Sequence, residues 1–135
     1  MNRAPTRRIT IDGVLYLWRT ADRLDRDTHP RMTLALSTFT AYRAPLKHGA
    51  LVISFTTWDD PRVGNPLNTG WHLPGPQGTP ELLNLHHPSL AERLIRYALA
   101  YGWNPQQNRS TLHLDGLDIL TSLGYDTSSL CISGS

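Results

Sequence analysis

Six histidines and nine aspartates provide the residue types from which a metal centre or an acid–base site is built. His113 and Asp115 stand two apart, which on a strand puts both on one face, as two metal ligands or as a histidine oriented by a carboxylate. His86, brought in by a loop, is the third residue such a site would use. The ordinary use of an H-x-D pair is an exposed polar strand face, and that is the first expectation. His86 and His87 are adjacent, so a strand would point them apart, and no His-x-x-x-His or Glu-x-x-His spacing sets two histidines on one helical face. They suit a loop entering a helix, with His87 at the N-cap. Asp59 and Asp60 follow a strand but precede Pro61, which reads as a solvated turn. No G-x-S-x-G, P-loop, G-x-G-x-x-G or H-E-x-x-H pattern occurs in the sequence, so no cofactor is implied. Metal-assisted or acid–base catalysis by His113 and Asp115, with His86 or Asp59 brought in by the loop, is the alternative to a non-catalytic role.

Arginine carries nearly all the positive charge. The 13 Lys+Arg stand against 11 Asp+Glu for a formal +2, and Lys47 is the sole lysine. Arginine's planar fork matches phosphate and carboxylate better than lysine's ammonium. Arg3, Arg7 and Arg8, beside Arg19, form a candidate phosphate-binding set, with Trp18, Trp58 and Trp71 as stacking surfaces. Asp22, Asp25, Asp27, Asp59 and Asp60 interrupt any long basic track, and there is no helix-turn-helix or RNP-like run. Arginines scattered among aspartates read more simply as coding bias in a GC-rich genome, so nucleic-acid binding is the second alternative. Cys131 is the only cysteine, which excludes an intrachain disulfide or a CxxC knuckle and points to a reducing compartment. Residues 1–8 are polar and basic and lead into alternation, so we read no Sec signal there. The longest purely apolar run, Ala50 to Ile53, is far below a membrane span. A bacterial cytoplasmic protein without a membrane partner is expected.

At 135 residues, 39% hydrophobic and 18% charged, the chain suits one compact domain, and its composition fits neither a collagen-like nor a disordered class. Arg7 to Trp18 reads as a hairpin about Asp12-Gly13, with Ile9 and Ile11 on one strand and Val14, Tyr16 and Trp18 on the other. Leu15 and Leu17 make the second strand apolar on both faces, which places it inside a sheet with the first strand at the edge. Ala21 to Pro30 is charged and reads as a solvated turn or short helix. Met32 to Thr40 and Ala50 to Trp58 are two further strands, linked through Pro45, Lys47, His48 and Gly49. Leu34, Leu36, Leu51, Ile53 and Phe55 are the expected core face, although a one-residue slip would exchange faces. With five prolines and four glycines, 59–80 reads as a long loop anchored by Trp71 and Leu73. Pro88 to Tyr101 is the clearest helix: Ser89 and Glu92 match a capping box, Leu90, Leu94, Ile95, Ala98, Leu99 and Tyr101 form a stripe, and Gly102 and Pro105 stop it. Thr111 to Asp115 suits a fifth strand, Leu117 to Leu123 a short closing helix unless Asp115-Gly116 turns a hairpin, and residues 127–135 a frayed end like 1–6.

The fold expected is therefore α+β: an antiparallel meander of four to five strands with the helix at 88–101 on one face. The opening Ile9-Thr10-Ile11-Asp12-Gly13 with Tyr16 and Trp18, and the later Leu94-Ile95-Arg96-Tyr97-Ala98 with Gly102-Trp103-x-Pro105, resemble small uncharacterised bacterial α+β proteins of GC-rich genomes. The resemblance rests on structural motifs and implies no activity. The leading expectation is a non-catalytic binding module acting through a protein partner, as an accessory, adaptor or immunity-type protein. Trp71 either plugs the sheet or anchors the partner, with His72, Arg93 and Arg96 as the accompanying contact residues.

Overall fold

Asp12 and Gly13 both adopt positive φ, 52° and 80°, the requirement of a two-residue turn whose twist matches its strands. They close the hairpin between β1 (Arg7–Ile11) and β2 (Val14–Asp25), in the register Ile9 to Tyr16 and Ile11 to Val14. The structure, a computed structural model, describes residues 6–25, 33–45, 49–59, 62, 64–105 and 110–131. The expectations for Arg3, Asp27, Met32, Lys47, His48 and Asp60, and for the ends 1–5 and 132–135, lie outside these residues.

Strands β1 to β4 form the expected antiparallel meander, continuing with β3 (Thr33–Arg43) and β4 (Leu51–Asp59). The fifth strand, β7 (Leu112–Asp115), pairs in parallel with β4, so the sheet is mixed, in the order β1-β2-β3-β4-β7. Strand β1 lies at the edge and β2 inside, as the two apolar faces of β2 require. β2 is longer than its sequence suggests. The segment read as a turn or helix from Ala21 continues as strand to Asp25, because β3 offers Ala21–Asp25 a complete partner in Thr38–Leu34. Backbone pairing with β3 overrides the weak strand preference of Asp and Arg.

The core face of β3 is the opposite of the one expected. Ala35, Phe39 and Ala41 are buried there with Ser37, while Leu34 and Leu36 face outward and are only half-buried. Strand parity forces the choice: Phe39 and Leu36 cannot both face inward, and pairing with inward Tyr16 and Trp18 selects Phe39 and Ala41. Leu51, Ile53 and Phe55 line the core as expected.

All the remaining elements cover that inner face. The stretch read as a loop, 59–80, contains α1 (Pro66–Thr69) and β5 (Trp71–Pro74), and β5 forms a two-stranded sheet with β6 (Pro80–Leu83). Three of its prolines sit at element ends: Pro66 opens α1, and Pro74 faces Pro80 where the turn joins β5 to β6. Asn65 caps α1, its side chain accepting from the Leu67 amide at 3.2 Å.

Helix α2 (Pro88–Tyr101) buries Leu90, Ala91, Leu94, Ile95 and Ala98. The expected capping box does not form. His87 is the N-cap, so Ser89 lies within the first turn and its hydroxyl meets His87 Nδ1 at 3.1 Å, while Glu92 bonds Arg96 Nε at 3.1 Å. The helix ends at Gly102, and Trp103 folds back with its amide on the Ala98 carbonyl and its indole N–H on the Gly49 carbonyl. Tyr101, expected in the stripe, is exposed and stacks on Tyr97.

Asp115 caps α3 (Gly116–Ser122), so Asp115-Gly116 begins a helix and no hairpin. Over the described part of the end, Leu130 is fully buried, and the Thr127 carbonyl accepts from the Leu130 and Cys131 amides. Gly116 is pressed onto the core, where a Cβ would lie 2.3 Å from the Phe55 ring. Gly116→Ala should therefore destabilise the fold by about 1–3 kcal/mol through overpacking, read as a lower urea midpoint with the slope unchanged.

Candidate interaction surface

Because every helix and the small sheet occupy one side of the five-stranded sheet, its outer side is bare among the described residues except at the end of β4, where Trp58, in phase with Thr56 and paired with Leu34, meets Trp71 and Ser129. Alternation places Arg8, Thr10, Leu15, Leu17, Arg19, Ala21 and Arg23 of β1 and β2 there. Leu34, Leu36, Thr38, Thr40 and Tyr42 follow from β3, and Val52, Ser54 and Thr56 from β4. Cross-strand partners build a continuous surface: Leu17 beside Tyr42, Thr40 beside Val52, and Leu36 between Arg23 and Thr56. Such pairs lean on one another, which is why Leu17, Leu34, Leu36, Tyr42 and Val52 are half-buried without a covering layer. Arg8, Arg19 and Arg23 are exposed at its border.

The arginines read as one phosphate-binding set are divided. Arg8 and Arg19 share the outer face. Arg7 takes the inner face, where Nη1 donates to the His86 carbonyl at 2.6 Å and the guanidinium lies 5.3 Å over the Trp18 ring. Trp18 itself is 1% exposed and offers no stacking surface.

The histidines are divided as well. His113 and Asp115 do share the outer face of β7, both exposed, and Asp115 accepts from the Asp118 amide at 3.1 Å as the cap of α3. His86 sits at β2, three strands away, or about 14 Å across the sheet, and on its other face. Among the described residues no three His, Cys, Asp or Glu side chains come together to hold a metal ion. His86 instead docks the α2 entry onto the sheet. Its Nε2 meets the Asn68 side-chain carbonyl, and its Nδ1 shares a hydrogen bond with the buried Thr20 hydroxyl at 3.2 Å. Beside it, Ser37 donates to Asp22 at 2.9 Å, and the Asn65 amide reaches Ser37 at 2.7 Å and Asp22 at 3.3 Å. Nothing in the spacing of these residues signalled this polar seam, because α1 contributes to it from a distant segment.

Trp71 and His72 lie on β5. Trp71 meets Trp58 edge-to-face at 5.0 Å, and Ser129 holds both: its carbonyl accepts from Trp58 Nε1 at 2.9 Å and its hydroxyl from Trp71 Nε1 at 3.0 Å. Trp71 is thus packed against the core with its polar edge satisfied. His72 is exposed opposite Leu82, itself 59% exposed. On α2, Arg96 bridges Glu92 and Asp12 of the hairpin turn, both at 3.1 Å. Arg93 reaches Glu81 on β6 and the Tyr125 hydroxyl. Glu81 and Glu92 are the only glutamates in the chain, and each holds an arginine of this helix.

No known protein family, curated protein or solved structure matches this chain. The fold defines the class: an α+β protein with a mixed five-stranded sheet whose helices and small sheet, among the described residues, all lie on one face. No helix among the described residues is long and apolar enough to cross a membrane.

His86→Ala would strand the Thr20 hydroxyl and release Asn68, and should cost about 1–3 kcal/mol of unfolding free energy in urea titration. Burial raises the pKa of Tyr16 and Tyr125 above the ordinary tyrosine value, against the pull of Arg43 and Arg93 respectively. The neutral hydroxyl is the form the fold favours. This stability is therefore complete below about pH 10 and is lost as pH rises through the folded values. Ultraviolet tyrosinate titration should show two phenols ionising above the ordinary tyrosine range, with Tyr125→Phe removing one.

Proposed function

We propose that this chain is a small non-catalytic binding module of the bacterial cytoplasm that acts through a protein partner, in the manner of an accessory, adaptor or immunity-type protein. The observation that supports it is the outer face, which among the described residues no element covers at the half-buried Leu17, Leu34, Leu36, Thr38, Thr40, Tyr42 and Val52, bordered by Arg8, Arg19 and Arg23. A monomer gains nothing by leaving such a face open, whereas a partner covering it removes apolar area from water at roughly 25 cal/mol per Å². The arginine border suits a partner whose contact surface carries carboxylates around an apolar centre, since charge matching sets orientation and encounter rate. The lone Cys131 fits a reducing compartment.

Tagged protein should capture one specific protein from the native host's lysate, through both nuclease and chelator treatment. Leu17→Glu combined with Leu36→Glu, both outward on the sheet, should abolish that capture while the circular dichroism spectrum stays native. Capture retained by the double variant overturns the outer face as the contact surface. Recovery that disappears with nuclease or chelator overturns the protein-partner role itself.

A further inference from the structure

A second surface, on the dressed side of the sheet, has the makings of a small-molecule site. Between the β5–β6 turn, β6, α2 and the segment after α3 lies a cleft of about 460 Å³. Its size falls within the range of small-ligand pockets, roughly 300–1,000 Å³. At its centre Arg93 of α2 meets Glu81 Oε1 at 3.3 Å and the Tyr125 hydroxyl, and the Tyr125 hydroxyl donates to the same Glu81 oxygen at 3.1 Å. Both contacts of the guanidinium use one nitrogen, Nη1. A guanidinium carries five donors in a fixed fork, so Nε and Nη2 keep theirs, with no protein acceptor among the described residues and the side chain 44% exposed.

Glu81 is committed to holding this arginine. Its second oxygen is backed by Gly75, where a Cβ would come within 2.2 Å of Oε2, so the carboxylate is closed off behind by backbone. The Tyr125 ring, buried with the Arg93 guanidinium 6.0 Å above it, limits the guanidinium's swing. What the cleft offers a ligand is therefore a pre-oriented cationic edge, the side chains of Gln77 and Thr79, and an apolar wall of Pro76 and Leu123.

We propose that this cleft binds a small organic carboxylate, an amino acid or short organic acid, whose carboxylate takes the free edge of Arg93 and whose apolar substituent lies on Pro76 and Leu123. Arginine and carboxylate match as two parallel hydrogen bonds. The Glu81 charge beside the same guanidinium disfavours a dianion such as phosphate, and the apolar wall gives inorganic ions nothing to cover. Protein–partner binding on the outer face is not required for this site.

The test is a titration of the full chain with isovalerate, with leucine and with inorganic phosphate, followed by amide chemical shifts. At least one of the two carboxylates should shift Gln77, Thr79 and Leu123 saturably, phosphate should not, and Arg93→Gln should weaken the affinity by at least about tenfold, or 1.4 kcal/mol. Gln77→Ala, in the exposed turn, should weaken it as well and serves if Arg93→Gln fails to fold. Absence of saturable shifts with all three compounds overturns the site. A response to phosphate alone, or undiminished carboxylate affinity in the folded variants, overturns the ligand assignment.

Discussion

Ten consecutive residue pairs between β2 and β3, from Tyr16 with Arg43 to Asp25 with Leu34, set the parity of the whole sheet. With Tyr16 and Trp18 inward, antiparallel pairing turns Ala41, Phe39, Ser37 and Ala35 inward, and β4 must then present Leu51, Ile53, Phe55 and Thr57. Everything on the inner side packs onto that set. A slip of one residue would carry Leu34 and Leu36 inward, eject Phe39, and leave α1, α2 and α3 no matching surface.

The small residues at one end of this face matter as much as the large ones at its centre. Ala35 and Ser37 leave room for Asn65, whose amide bonds Ser37 and Asp22 while its carbonyl caps α1. Thr20 and His86 continue the same polar seam toward the start of α2. These bonds satisfy groups that burial would otherwise penalise, so the segments they tie down are held in one position and not merely collapsed onto the sheet. Placed in this way, β6, α2 and the chain after α3 converge on the Glu81, Arg93 and Tyr125 cluster. The same parity that gathers the inner layer turns Leu17, Leu36, Tyr42 and Val52 to the outer face, which no described element covers at these residues, so both proposed contact surfaces follow from one register.

Local patterns announced the elements that carry their own signals. The Asp12-Gly13 hairpin, the edge position of β1, the helix over Pro88–Tyr101 with its Gly102 stop, and the closing helix at Leu117 are all written in short-range spacing, because turn chemistry and amphipathic periodicity are local properties. The α+β class follows from those elements together. Of the site residues, the sequence marked Trp71 as an anchor and Arg93 and Arg96 as contact residues beside it, but not the Trp58, Glu81, Tyr125 and Asp12 groups that they meet.

Tertiary structure alone decided the rest. Whether Leu36 or Phe39 faces the core depends on a register set by another strand, and period-two alternation fits either choice. Asp22 and Arg23 belong to a strand only because β3 supplies hydrogen-bond partners that a charged segment cannot find in itself. Breakers in 59–80 mark where regular structure stops, yet Pro66 and Pro80 each open an element whose stability comes from the core beneath. His86 and His113 look equivalent in sequence and end on opposite faces of the sheet, since the distance between side chains is fixed by topology and not by spacing along the chain.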